Sequence, residues 1–192
     1  MESAGLRGSA LARLIVAGLS CCLCASCGGS EPTDPAEPPA GSDATFAELF
    51  GSVLLKADGS SVGIQAIQTK AIVGIYFAAG WCPACAEFTP TLVSAYGELT
   101  KAGKSFEIVL VSLDASSADM LTHMRNRGMA WLAIPYDSAR IRALIDRYGV
   151  EWIPTLVILD NDRTIITKGG RDDIVVKGAA AFDDWLAASR GL

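Results

Sequence analysis

Cys82 and Cys85, three positions apart in Trp81-Cys82-Pro83-Ala84-Cys85, are the side chains in this sequence whose spacing most clearly implies chemistry. The apolar run 71–77 before them reads as a buried strand, and Phe88, Leu92, Tyr96 and Leu99 after them recur at helical spacing. Cys82 therefore falls at the mouth of a helix, where unpaired backbone N–H groups and the positive end of the helix dipole favour a thiolate. A free thiol with a pKa of about 8.5 can drop to about 3.5–7.5 in such surroundings. Helix positions i and i+3 lie about 5–6 Å apart at Cβ, and a disulfide needs about 3.5–4.5 Å, a gap that a non-helical first residue can close. The chemistry is reversible thiol–disulfide exchange, with Cys82 at the exposed tip attacking and Cys85, one turn inside, resolving.

Two plainer readings compete. Structural zinc takes four ligands, and beyond the N-terminal segment the chain offers no other cysteine and a single histidine, His123. No metal and no cofactor is therefore expected. A structural disulfide across so short a loop would constrain the unfolded chain little.

The elements that position the pair follow from the pattern around it. Residues 53–56 read as a strand before a turn at Ala57-Asp58-Gly59-Ser60, and Asp43 can cap a short helix through Phe46, Leu49 and Phe50. Phe106-Glu107-Ile108-Val109-Leu110-Val111 is a second apolar strand, so the strands flanking the Cys82 helix should be parallel with a right-handed crossover. Ser116, with Asp119 three later, caps a helix whose inner stripe is Met120, Leu121 and Met124. The methionines read as core, and His123 between them as exposed and without a catalytic role. Ile141, Leu144, Ile145 and Tyr148 mark another helix. Residues 155–159 and 164–167 form a hairpin about Asp160-Asn161-Asp162, and Phe182, Trp185 and Leu186 place a last helix on the sheet. Pro154 opens its strand, where a proline breaks no ladder. The sum is an α/β sandwich.

Composition sets the partners. With 16 Lys+Arg against 21 Asp+Glu the net charge is -5, and the basic face that nucleic acid requires is missing. Four of the six cysteines, Cys21, Cys22, Cys24 and Cys27, crowd one apolar N-terminal segment. Arg7 and Arg13 precede the run 14–23, which is too short to span a bilayer and reads as a secretory signal. Ala25-Ser26-Cys27-Gly28 within it resembles a bacterial lipoprotein signal, which implies that Cys27 is lipidated and becomes the mature N-terminus. Cys24 stands where such signals usually carry Leu, and Cys21 or Cys22 are alternatives for the lipid. Residues 28–43, rich in Pro, Gly, Ser and acid, form a flexible tether. The expected organisation is a signal over 1–27, the tether over 28–43 and one domain over 44–192.

Several separated motifs carry a second resemblance. Tyr76-Phe77-Ala78-Ala79-Gly80-Trp81-Cys82-Pro83-Ala84-Cys85, Phe88-Thr89-Pro90, Trp131-Leu132-Ala133-Ile134-Pro135 and Gly149-Val150-Glu151-Trp152-Ile153-Pro154-Thr155-Leu156 resemble the tryparedoxin/nucleoredoxin branch of the thioredoxin superfamily. The resemblance implies a thioredoxin-like three-layer α/β/α sandwich with a mixed central sheet. It implies Cys82 as nucleophile, Cys85 as resolving thiol, Trp81 and Pro83 in support, and Pro154 in a cis peptide facing the pair. Two departures stand out: the branch usually has Pro-Pro between the cysteines and Arg after the second, and this chain has Pro83-Ala84 and then Ala86-Glu87. Thioredoxins proper place a buried Asp where this chain has Tyr76, so the acceptor of the Cys85 proton is open between water and Glu87.

The reading is a lipid-anchored, periplasm-facing thiol–disulfide oxidoreductase of a bacterial cell envelope, the outer membrane favoured by Gly28 after Cys27. Its partners are disulfide-containing envelope proteins and an upstream thiol donor of electrons. The missing Arg argues for a pair that works as a reductant. A thiol peroxidase and a redox carrier for cytochrome maturation are the alternatives; the former wants a Thr before the thiolate, where Ala78, Ala79 and Gly80 stand.

Overall fold

The computed structural model describes residues 45–191. The expected signal, tether and lipidated Cys27, and Asp43 as a cap, lie outside the described residues. In chain order the elements are α1 (Phe46–Phe50), β1 (Val53–Leu55), β2 (Ser61–Gly63), α2 (Gln65–Gln68), β3 (Ile72–Ala78), α3 (Pro83–Lys101), β4 (Phe106–Ser112) and α4 (Ser117–Asn126). They continue with β5 (Leu132–Ala133), α5 (Ser138–Tyr148), β6 (Thr155–Asp160), β7 (Ile165–Thr167), α6 (Gly170–Lys177), a 3-10 turn (Gly178–Ala180) and α7 (Ala181–Ser189).

Every residue of β3 is buried, as expected for a strand covered on both faces. It pairs in parallel with β4 from Ile72↔Phe106 to Ala78↔Ser112, and α3 is the crossover between them. On its other side β6 runs antiparallel, and the whole mixed sheet has the order β2-β1-β5-β4-β3-β6-β7. Period-two alternation sends Tyr76, Ile108, Leu110, Leu156 and Ile158 to a core shared with α3, α4, α6 and α7. Val73, Ile75, Phe77, Val109, Val157 and Leu159 face the opposite way, against α1, α2 and α5. This is the three-layer α/β/α sandwich with a mixed sheet.

Local chemistry sets the ends. Thr45 and Glu48 satisfy each other's backbone N–H in a capping box, so Thr45 is the cap of α1. Asp137 accepts the N–H groups of Ala139 and Arg140 to start α5, and Gly149, at φ 62, ends it in the left-handed region that glycine adopts without penalty. Ser116 caps α4 by accepting the Asp119 N–H at 3.1 Å. Met120 and Met124 are fully buried, as read from the sequence. His123 is not exposed: only 5% of it reaches solvent. Residues 120, 123 and 124 share one helix face, so whatever buries the methionines buries the imidazole too.

The sequence reading has no counterpart to β2, α2, β5 or α6. Of the apolar run in α6, Ile174 is buried while Val175 and Val176 are 58% and 78% exposed, so no helical stripe marks it. The helix lies tight on the sheet because Gly170 lacks a Cβ, which would come within 2.7 Å of Ile158 Cγ1 and 2.8 Å of the Leu156 carbonyl.

Candidate active site

β3 ends at Ala78, and the turn Ala79-Gly80-Trp81 delivers the chain to Cys82 at the head of α3. Cys82 is the N-cap, with extended φ -86 and ψ 116. Pro83 follows at the first helical position, where its missing N–H has no helical partner to lose. Cys82 Sγ accepts the Cys85 N–H at 3.1 Å, which puts the sulfur over an otherwise unpaired helix donor. The non-helical first residue required by the short reach between the two thiols is therefore present. Both are free thiols.

Cys82 retains only 5% of its surface and Cys85 none. The order of accessibility is as expected, but the tip is far less open. The Cys82 thiol is covered from the side of β6, where it donates to the Ile153 carbonyl at 3.7 Å. The peptide bond that follows this carbonyl, Ile153–Pro154, is cis, the geometry that the resemblance implied. Trp81 is 66% exposed and its indole N–H is tied to the Leu113 carbonyl at 3.1 Å. Trp152, one residue before Ile153, is 68% exposed. Cys27 lies outside the described residues.

Burial pushes the Cys85 thiol up to about 12, and the hydrogen bond it shares with Cys82 adds to the rise. Below it, Thr89 Oγ donates to the Cys85 carbonyl at 2.6 Å, which spends the hydroxyl hydrogen; the Tyr76 hydroxyl, 2.9 Å away, must then donate to Thr89. Burial also holds Tyr76 above the usual phenol range, so it remains a neutral donor. Glu87 is exposed on α3. Among the described residues no three His, Cys, Asp or Glu side chains gather as a metal site.

A buried polar cluster that the sequence reading does not assemble underlies the turn. Asp114, just past the end of β4, accepts the Gly80 N–H on Oδ1 at 2.7 Å. Its Oδ2 is 2.7 Å from Ser112 Oγ, which donates, and 3.2 Å from His123 Nδ1. Ser-X-Asp at a strand end is too common to single out; the recoverable signal was the placement of His123 with Met120 and Met124.

Comparison with known proteins agrees with the geometry. A family model described as thioredoxin-like matches residues 70–165, which spans both cysteines and Pro154. Thioredoxin from Wuchereria bancrofti is 38% identical with a TM-score of 0.61, covering 73% of this chain and 97% of its own. Tryparedoxin from Trypanosoma brucei is 33% identical with a TM-score of 0.63, covering 71% of this chain and 92% of its own. Human nucleoredoxin is 38% identical over 131 residues, which is 68% of this chain and 29% of that protein. The match thus spans less than a third of that relative's length. A thiol pair at a strand-to-helix turn beside a cis proline, on a sandwich of this order, and a family match across both parts make one statement: the chain belongs to the thioredoxin-like family of thiol–disulfide oxidoreductases.

Proposed function

We propose that this protein reduces protein disulfides in a bacterial cell envelope, through a mixed disulfide at Cys82. The observation that carries the reading is the asymmetry of the pair. Cys82 is the sulfur at the surface side and accepts a helix N–H, whereas Cys85 is sealed behind it. In the first step the Cys82 thiolate attacks one sulfur of a partner disulfide. The Cys82–partner S–S bond forms, the partner's own S–S bond breaks, and one partner thiolate leaves. In the second step Cys85 gives up its proton and attacks Cys82 Sγ. The Cys82–Cys85 disulfide forms and the second partner thiolate leaves, so two electrons pass from the pair to the partner. An upstream thiol donor restores the dithiol.

The exposed indoles of Trp81 and Trp152 suit partner segments with apolar residues beside their disulfide. Ala86 and Glu87 in place of a cation after Cys85 favour the reducing direction. The envelope location rests on the N-terminal sequence, with Cys27 as the acylated residue and residues 28–43 as tether. A tagged fatty acid fed to cells should label wild type and not Cys27→Ser; equal labelling of both moves the anchor to Cys21, Cys22 or Cys24. The mechanistic test is trapping. Cys85→Ser should accumulate mixed disulfides at Cys82 on a non-reducing gel, and Cys82→Ser should accumulate none. Equal trapping by both variants would reverse or abolish the two roles. In acid-quenched cells a fully oxidised steady state would make the protein an oxidase.

A further inference from the structure

We propose that Asp114, held in register by His123, is the positioning residue for the attacking thiol: the pair fixes Gly80 and, through it, the turn that presents Trp81 and Cys82. The proposal rests on Cys82 as the attacking sulfur.

The geometry is continuous. Leu113 N–H donates to the Ala78 carbonyl at 2.9 Å, Gly80 N–H to Asp114 Oδ1 at 2.7 Å, and Trp81 Nε1–H to the Leu113 carbonyl at 3.1 Å. The ladder between β3 and β4 is thus prolonged past the strands by a carboxylate and an indole. Cys82 N–H then bonds to the Ala79 carbonyl at 3.2 Å, which closes the turn on the nucleophile. Asp114 is the side chain in that series that accepts a backbone N–H of the turn, and Ser112 and His123 fix its direction.

The histidine carries the second observation. A carboxylate only accepts, so Nδ1 bears the hydrogen, and in the neutral ring Nε2 carries none. Among the described residues His123 Nε2 has no hydrogen-bond partner and is buried, and the side chain is 3% exposed. An ordinary core histidine would satisfy both nitrogens; this one leaves one unmet and commits the other to Asp114. Its ring also lies against the turn itself. A Cβ on Gly80 would come within 3.3 Å of His123 Cβ, of His123 Cγ and of Asp114 Oδ1, so glycine is what lets the imidazole close over the backbone. Burial outweighs the attraction of Asp114, and Arg127 at the end of α4 adds to the effect, so the imidazole is held below its ordinary value. From the other side of Asp114, Arg142 on α5 lines the same pocket, and from α3 the titratable neighbour is the neutral Cys85 thiol.

His123 is the only histidine of the chain, so its ring nitrogens can be read by NMR in the full-length protein without assignment. At pH 7 the correlation spectrum should show Nδ1–H and a bare Nε2, with a titration midpoint below 6.5. The Nε2–H tautomer, or a midpoint at or above 6.5, overturns the proposal. Asp114→Ala should slow alkylation of Cys82 in the reduced protein by about tenfold, the loss expected when a charge-assisted hydrogen bond is removed from a positioned group. Asp114→Asn keeps an oxygen for Gly80 and should recover to within about threefold of wild type, with His123 switched to the other tautomer. Should the Ala variant fail to fold, His123→Phe, which keeps the ring against Gly80 and removes the donor, is expected to slow alkylation about threefold. Wild-type rates in every variant that folds, as judged by circular dichroism, overturn the proposal. Mass spectrometry of the alkylated site separates the two failures. Label on Cys85 ahead of Cys82 defeats the assignment of the nucleophile, while the tautomer of His123 still reports on the pair.

Discussion

Asp114 and Asp160 are both buried carboxylates just at or beyond the end of a central strand, and their partners differ in kind. Asp160 closes β6 at the end of the sheet remote from Cys82, opposite Ile72. It accepts the Asp162 and Thr164 N–H groups on Oδ1 at 2.9 and 2.8 Å, and its own N–H reaches the Thr164 carbonyl at 3.0 Å. Both partners of its carboxylate lie within four residues. The turn is tight enough to hold Arg163 at φ 65, a conformation costing a side-chain-bearing residue about 1–2 kcal/mol. Asp114 instead reaches 34 residues back to Gly80 and nine forward to His123. A carboxylate consumed by its own turn shapes that turn; one that binds a distant backbone N–H ties two segments together, and here one of them carries the nucleophile.

The sharpest way to break this contrast is to remove both carboxylates separately. Asp114→Ala should lower the exchange rate at Cys82 by about tenfold, and Asp160→Ala should leave it within about twofold, while costing about 1–3 kcal/mol of stability for the loss of two part-buried turn hydrogen bonds. Urea unfolding read beside alkylation rates decides it. A variant at 160 that slows exchange as much as one at 114 would erase the distinction.

A second difference lies in how the two regions respond to pH. The folded dithiol holds a Cys85 proton that the unfolded chain releases, because burial raises this thiol from 9.0 to about 12. Its contribution is therefore fully present below pH 9 and is lost as pH rises towards 12, at up to ~1.4 kcal/mol per pH unit. Reduced wild type should lose stability faster than reduced Cys85→Ser between pH 9 and 10. Parallel curves for the two would mean that Cys85 is not sealed. The acid side runs the other way. His123 is held below 6.5 in the fold, so the unfolded chain takes up the proton first. That contribution is present above pH 6.5 and fades as pH falls, and His123→Phe should flatten the acid limb of the stability profile.

The smallest effect concerns Glu87. It is exposed on α3, whereas Asp114 is buried and close enough to Cys85 for its charge to raise that thiol. Glu87→Gln should leave the resolving step, followed by release of a model partner thiol, within about twofold of wild type, as for most surface substitutions. A tenfold loss would restore Glu87 as the proton acceptor.

Much was legible in the chain because it is local. Two thiols three apart, an apolar run before them and a helical stripe after them place Cys82 at a strand-to-helix turn whatever else the chain does. Period-two burial in β3, β4 and β6 follows from their apolar runs, and strand–helix–strand spacing leaves little choice but a parallel pair. Short or weakly patterned elements escaped. β2 and β5 are three and two residues long, and α6 turns two valines to solvent. What only the tertiary structure decided is the burial of His123 and its meeting with Asp114 and Gly80. No periodicity links positions 80, 114 and 123; β3, β4 and α4 bring them together only when the sheet and its helical layer close. A hydrogen bond between segments 34 residues apart leaves no mark in either segment alone. The thiols were thus written in the sequence, and the carboxylate and imidazole beneath them were set by packing.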